Sequence, residues 1–356
     1  MQFHSGLFLI FIANLKYHLI VNDFMLLNKK GDVSPVFKYI FVMIVGAMFL
    51  LFFVNFAFKY IGTQEKKESL ISISGFDDTL SILGTSDNAK NVYNFEREVS
   101  YTFEDGKIGT LNSSKSTSKN VFSPRMLNGR KIVIWTRKWI MPYAIDSFFY
   151  MTNEKHRYYI VYQPEFEELA KDLDDPQGTI YKDLQLEVKS ASIISNSMEI
   201  IKTATAGSTR VKFLMLGNDN NLEAKLKRIK NAEVIVAIPE NQNSLIGNIE
   251  FEDETTMYLG EAMLFGALFA ENSESYDFAV ERSLEKMELI TKIYSEKSSM
   301  MASKLPSCGY NLFKTNLDSL QVKAKERKKE ASDYVTVMNA LTESNKNFPA
   351  NCPEVF

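Results

Sequence analysis

Histidine and cysteine are scarce in this 356-residue chain: three His and two Cys. Only His156 lies beyond the first sixty residues, and Cys308 and Cys352 stand far apart. One imidazole and two distant thiols exclude the His-rich and CxxC types of zinc site, and no cofactor is implied. Strong charge of one sign is also missing. With 41 Lys+Arg against 44 Asp+Glu, the net charge of -3 predicts neither nucleic-acid binding nor a self-repelling acidic tail. Catalytic frames are absent too. His156 sits in NEKHRYY, a polar turn with no G-x-S-x-G or Cys partner, and reads as a surface histidine. Glu167, Glu168, Asp174 and Asp175 form no glycosidase-like frame and read as helix caps and solvated groups. Asn112-Ser113-Ser114 is a sequon of the kind chance supplies. The expectation is a protein without enzymatic activity.

What is present is one long apolar run. Tyr39–Phe58 holds twenty residues with no charge and one amide, Asn55. As a helix it would cover about 30 Å, the thickness of a bilayer's hydrocarbon core. Ser34 and Pro35 stand where an N-cap and a first-turn proline belong, so a transmembrane helix is expected over 35–58. Tyr39 and Tyr60 bracket it at headgroup level. The run exceeds a normal secretory h-region, and no small-x-small site follows it. Lys29, Lys30 and Lys38 on one side balance Lys59, Lys66 and Lys67 on the other, so charge does not orient the span.

The stretch Lys29-Lys30-Gly31-Asp32-Val33-Ser34-Pro35, followed directly by the apolar helix, resembles the class III signal of archaeal type IV pilin-like proteins. Val36 stands where many such pilins carry glutamate. The resemblance covers about thirty residues. It implies a leader over 1–31, a prepilin peptidase cutting after Gly31, and Asp32 as the new N-terminus. It also implies a cytoplasmic leader, a folded domain outside the cell, and association with copies of itself or with other pilus-like subunits. Residues 1–24 read as upstream sequence with translation starting at Met25; a second, interfacial helix is the alternative.

Beyond a polar linker at 59–69, a mixed α/β domain is expected over 70–270. Candidate strands are Leu70–Ser74, Glu98–Phe103, Lys131–Thr136, Tyr158–Gln163, Leu184–Val188, Val211–Leu216, Glu233–Ile238 and Asn248–Glu252. VKFLML, GNDNN, LEAKLKRIKN and AEVIVAIPE read as strand, capped turn, amphipathic helix and strand, a βαβ unit. The turn Gly217–Asn221 has neither GxGxxG nor a P-loop lysine, so it reads as an ordinary cap. Residues 132–151 are rich in aromatics. Trp135, Arg137, Trp139 and Tyr143 are a candidate interaction surface there, set against a reading of the same rings as core. Upstream, Arg125, Arg130 and Lys131 read as a solvated turn.

A helical hairpin is expected over 274–348. Its first helix places Val280, Leu284, Met287, Ile290 and Tyr294 on one face. Its second runs from Asn311 to Asn345 without Gly or Pro. Its face is Leu317, Leu320, Ala324, Arg327, Ala331, Tyr334, Met338 and Leu341. A straight helix of that length is about 52 Å long, and a disulfide tolerates only about 7 Å between α-carbons. Geometry thus argues against a Cys308–Cys352 bond unless the helix bends back; the alternatives are free thiols or bonds to another chain.

Two functions stay open. One is a single-pass cell-surface protein with a structural or interaction role, pilin-like or pilus-associated. The other is a membrane-tethered α/β domain that binds a small molecule or acts as a sensor or enzyme, since such sheets commonly take ligands at strand C-terminal ends.

Overall fold

A computed structural model describes residues 34–110, 113–174, 179–242 and 244–356. The chain is mixed α/β, with an N-terminal apolar helix, two mixed sheets and C-terminal helices. It divides into two compact units, with the boundary between Gln64 and Glu65. The expected leader lies outside the described residues.

The helix α1 (Ser34–Leu83) begins in the first unit at the Ser-Pro signal, and its residues from Glu65 onward belong to the second. Within Val36–Tyr60 an eighteen-residue stretch reaches a mean hydropathy of 2.6, and none of the residues is buried. Phe37, Phe41, Phe52 and Phe58 are all more than 60% exposed. Among the described residues this is the one helix long and apolar enough to cross a membrane. Residues 59–69, expected as a linker, are helical as well.

In the second unit the expected strand Leu70–Ser74 is instead part of α1. The alternation in LISIS suggests a strand, but Ile73, Phe76 and Leu80 repeat at helical spacing and all three are buried. They pack on one face of a largely antiparallel sheet, against Tyr101, Leu127, Ile132, Ile134, Phe149 and Met151. That sheet has the order β3-β2-β1-β5-β6-β4. Its strands are β1 (Lys90–Glu104), β2 (Lys107–Thr110), β3 (Ser113–Ser116), β4 (Asn120–Phe122), β5 (Met126–Ile140) and β6 (Ala144–Asn153). Only the β4–β6 pair is parallel. Because β5 starts at Met126, the expected solvated turn at Arg130 and Lys131 is strand, and Lys131 pairs with Asp183 at 2.8 Å.

Glu154 and Lys155 turn the chain out of β6 into β7 (His156–Tyr162), the first strand of a second sheet. The others are β8 (Leu186–Ser190), β9 (Arg210–Leu216), β10 (Ala232–Pro239), β11 (Ile246–Glu250) and β12 (Thr255–Leu259), in the order β12-β11-β10-β9-β7-β8. The four strands β8, β7, β9 and β10 are parallel; β11 and β12 are antiparallel. Parallel strands need helices on both faces. One face carries α2 (Glu167–Asp172), α3 (Thr179–Leu184) and α7 (Glu261–Phe269), whose apolar residues join the largest core. The opposite face carries α4 (Ala191–Asn196), α5 (Met198–Thr205) and α6 (Asn220–Leu226), around Ile194, Ile201, Leu222 and Leu226. Asp219 caps α6, accepting from the N–H groups of Asn221 and Leu222. The helix α7 is apolar on all sides and every residue from Ala262 to Phe269 is buried, as expected of a helix enclosed by protein. Gly266 lets it approach the Phe122 ring, which a β-carbon would meet at 2.8 Å.

The C-terminal helices are α8 (Ser273–Lys304), α9 (Tyr310–Lys325) and α10 (Ser332–Lys346). The expected face of α8 is turned inward, with Val280, Leu284 and Met287 buried. The expected unbroken helix from Asn311 to Asn345 is two helices. Seven of the eight positions in its apolar pattern are buried; the eighth, Arg327, is exposed and adopts a left-handed φ of 52°. The break is held by the Tyr334 hydroxyl, 3.1 Å from the Lys323 carbonyl and 3.2 Å from that of Lys328. Arg327 pairs with Glu285, and Lys329 with Asp277, so these cations serve the chain's own carboxylates. Because the helix breaks, Cys308 and Cys352 meet in a disulfide with 5.8 Å between α-carbons, against the expectation from a straight helix.

Candidate functional site

The residues singled out by sequence go to different places. Lys29, Lys30, Gly31 and Asp32 lie outside the described residues. Trp135 and Trp139 are wholly buried and Tyr143 is 3% exposed. Their polar atoms are satisfied internally: Trp135 Nε1 donates to Asn88 Oδ1 at 2.7 Å and Trp139 Nε1 to the Leu259 carbonyl at 2.6 Å. The Tyr143 hydroxyl bonds Thr291. Arg137 is paired with Glu261, its guanidinium 5.6 Å from the Trp135 ring and 5.9 Å from Phe265. Trp135 and Trp139 lie on the face of β5 that meets the largest core, and Tyr143 joins it from the bend after β5, so these rings build its interior.

In parallel sheets ligands favour the crevice where the strand order reverses. Here that crevice lies at the C-terminal ends of β7 and β9. Gln163 Nε2 donates to Asp219 Oδ2 there at 3.2 Å. The Phe166 ring lies against Gly217, whose φ of +86° and contact with that ring both exclude a side chain. The ring thus covers the Gly217 turn at the end of β9.

The opposite ends of the same strands are open. A cleft of about 800 Å³ runs along the seam between the sheets, lined in part by Asn128, Asn153, His156, Arg210, Glu233 and Glu271. Strand register builds it. The parallel β7–β9 ladder sets His156 opposite Arg210, and β9–β10 sets Lys212 opposite Glu233. Arg210 pairs with Glu233 at 2.6 Å and also with Glu271. Lys212, fully buried, pairs with Glu233 at 2.8 Å and donates to the Ala270 carbonyl at 2.6 Å. Burial pushes the Lys212 ammonium down to about 8 against the pull of Glu233. Burial also tends to raise the Glu271 carboxyl, but the Arg125 N–H and the Arg210 guanidinium overcome it and hold the group below its usual value.

His156 is the outlier. Expected at the surface, it is 5% exposed, because the polar turn ends one residue before it and β7 begins with it. Its Nδ1 has no partner among the described residues. Burial, reinforced by Arg210, pushes the imidazole down to about 4, so it is neutral at pH 7. The sequence carries one trace of this site: Arg210 and Lys212 are charges inside a run that is otherwise apolar to Leu216. The arrangement can present fixed charges of both signs around a neutral imidazole. Among the described residues no group of three or more His, Cys, Asp or Glu is placed to hold a metal ion. No protein-family model, curated protein or solved structure matches the chain.

Proposed function

We propose that this chain is a single-pass membrane-anchored protein with its α/β domain on the outer face of the cell, in a structural or interaction role as a pilin-like or pilus-associated subunit. The carrying observation is the helix Val36–Tyr60, twenty-five residues with no buried position. Exposing that much apolar surface to water is unfavourable by about 25 cal/mol per Å², and lipid removes the cost. The Cys308–Cys352 bond supports the outward orientation, since structural disulfides persist in oxidising compartments. The Lys29–Asp32 leader supports the pilin-like role. Two measurements test this reading. Detergent-phase partition of the full chain should place it with the detergent; recovery from the aqueous phase refutes the anchor. Co-expression with a prepilin peptidase should remove a fragment ending at Gly31; an unchanged mass leaves an anchored protein and removes the filament role.

The seam cleft favours a second reading, a tethered domain that binds a small molecule, because its volume falls in the usual range for such sites.

A further inference from the structure

Resting on that second reading, we infer that the seam cleft binds a small zwitterion, a free amino acid or a short peptide with both ends charged. Three observations lead there. The lining carries Arg125, Lys155 and Arg210 against Glu233, Glu252 and Glu271, so the charges cancel. A phosphate or a simple cation would meet repulsion equal to its attraction, whereas a molecule with one charge of each sign is matched by the walls. Apart from His156 no aromatic ring lines the cleft, so it has no stacking platform for a base or a sugar face.

The third observation concerns which charges are at liberty. Arg210 is held by Glu233 and Glu271 deep in the wall. At the rim, among the described residues, Arg125 forms its ion pair with Glu104 alone and Lys155 with Glu98 alone. Both acidic partners are more than half exposed, and such pairs contribute about 0–1 kcal/mol. A ligand carboxylate can take either cation at little cost. Glu252 is exposed, feels the Lys227 charge without a close ion pair among the described residues, and can accept a ligand ammonium. The wall also holds His156, 5% exposed and unpaired at Nδ1 among the described residues, a neutral group suited to the amide or carbonyl of a peptide rather than to a third charge.

The test is isothermal titration calorimetry on the full chain in detergent micelles. The probes are triglycine, its N-acetyl and C-amide derivatives, inorganic phosphate and tetramethylammonium. Triglycine should bind, and blocking either end should weaken it about tenfold. Arg125→Ala and Glu252→Gln, both surface changes, should each weaken binding several-fold and leave the melting temperature unaltered. Binding of phosphate or tetramethylammonium as tight as that of triglycine overturns the zwitterion assignment but keeps a small-molecule site. Heat from none of the five probes at millimolar concentration overturns both. Equal binding of the blocked and free peptides also refutes the proposal.

Discussion

Cys308 and Cys352 are bonded although 44 positions and two helices separate them. The bond ties the start of α9 to the segment after α10, where Val355 and Phe356 are held by Asn345 Oδ1. A closed loop of this length stabilises the fold by about 4 kcal/mol in the chain-entropy account. Cys308→Ser should therefore lower unfolding free energy by up to that amount, measured by urea titration. A non-reducing peptide map should contain one Cys308–Cys352 crosslinked peptide; two alkylated free thiols would contradict the fold of this region.

Acid should weaken the seam. His156 has a folded pKa near 4, below its ordinary 6.5, so between those values the unfolded chain binds more protons. The contribution is complete above about pH 6.5 and is lost as pH falls toward 4, by about 3 kcal/mol. Denaturant midpoints measured from pH 7.5 to 4.5 should fall steeply in the parent chain and less steeply in His156→Gln. Parallel curves would show that another group controls the slope.

The charge network is asymmetric in its response to substitution. Glu233→Ala leaves Lys212 fully buried without its carboxylate and removes one of the two acids on Arg210, at a cost of about 3–5 kcal/mol. Lys212→Met removes the buried cation itself, and the loss should be smaller. Thermal unfolding of the two variants ranks them; equal losses would mean the pair does not act as a pair.

The second half of α1 offers a test of helix against strand. Phe76→Ala should destabilise by about 3 kcal/mol, since the ring stacks on Tyr101 with centroids 5.0 Å apart and lies in the core. Ile71→Ala, at a position 63% exposed, should fall within about 0.5 kcal/mol of the parent. A strand over Leu70–Ser74 would place Ile71 and Ile73 on the same face and make them equally sensitive.

Much of the central sheet was legible because β9 and β10 are short apolar runs bounded by turn residues. The inward face of α8 was legible from its helical spacing. The break at Arg327 was not, because no Gly or Pro marks it. The positive φ is borne by an arginine whose charge finds Glu281 and Glu285 only in the folded chain. In hindsight, the one charged residue in an otherwise apolar seven-residue pattern was the signal. Beyond the charges Arg210 and Lys212 in an apolar run, the cleft was illegible for a related reason. His156, Arg210, Glu233 and Glu271 span more than a hundred positions; parallel register brings the first three together and the chain beyond α7 returns Glu271 to Arg210, which no local window contains. The aromatic segment read correctly as core in one of its two interpretations, since burial of Trp135 and Trp139 is decided by the sheet's two covered faces.

The Phe166 ring against Gly217 has an engineering consequence. A hydrocarbon stopper occupies the spot where sheets of this order ordinarily receive guests, and it is carried by a short connecting segment instead of a strand. Trimming that one side chain to alanine would take away the ring that bars a β-carbon at Gly217, at the far edge from the charged seam.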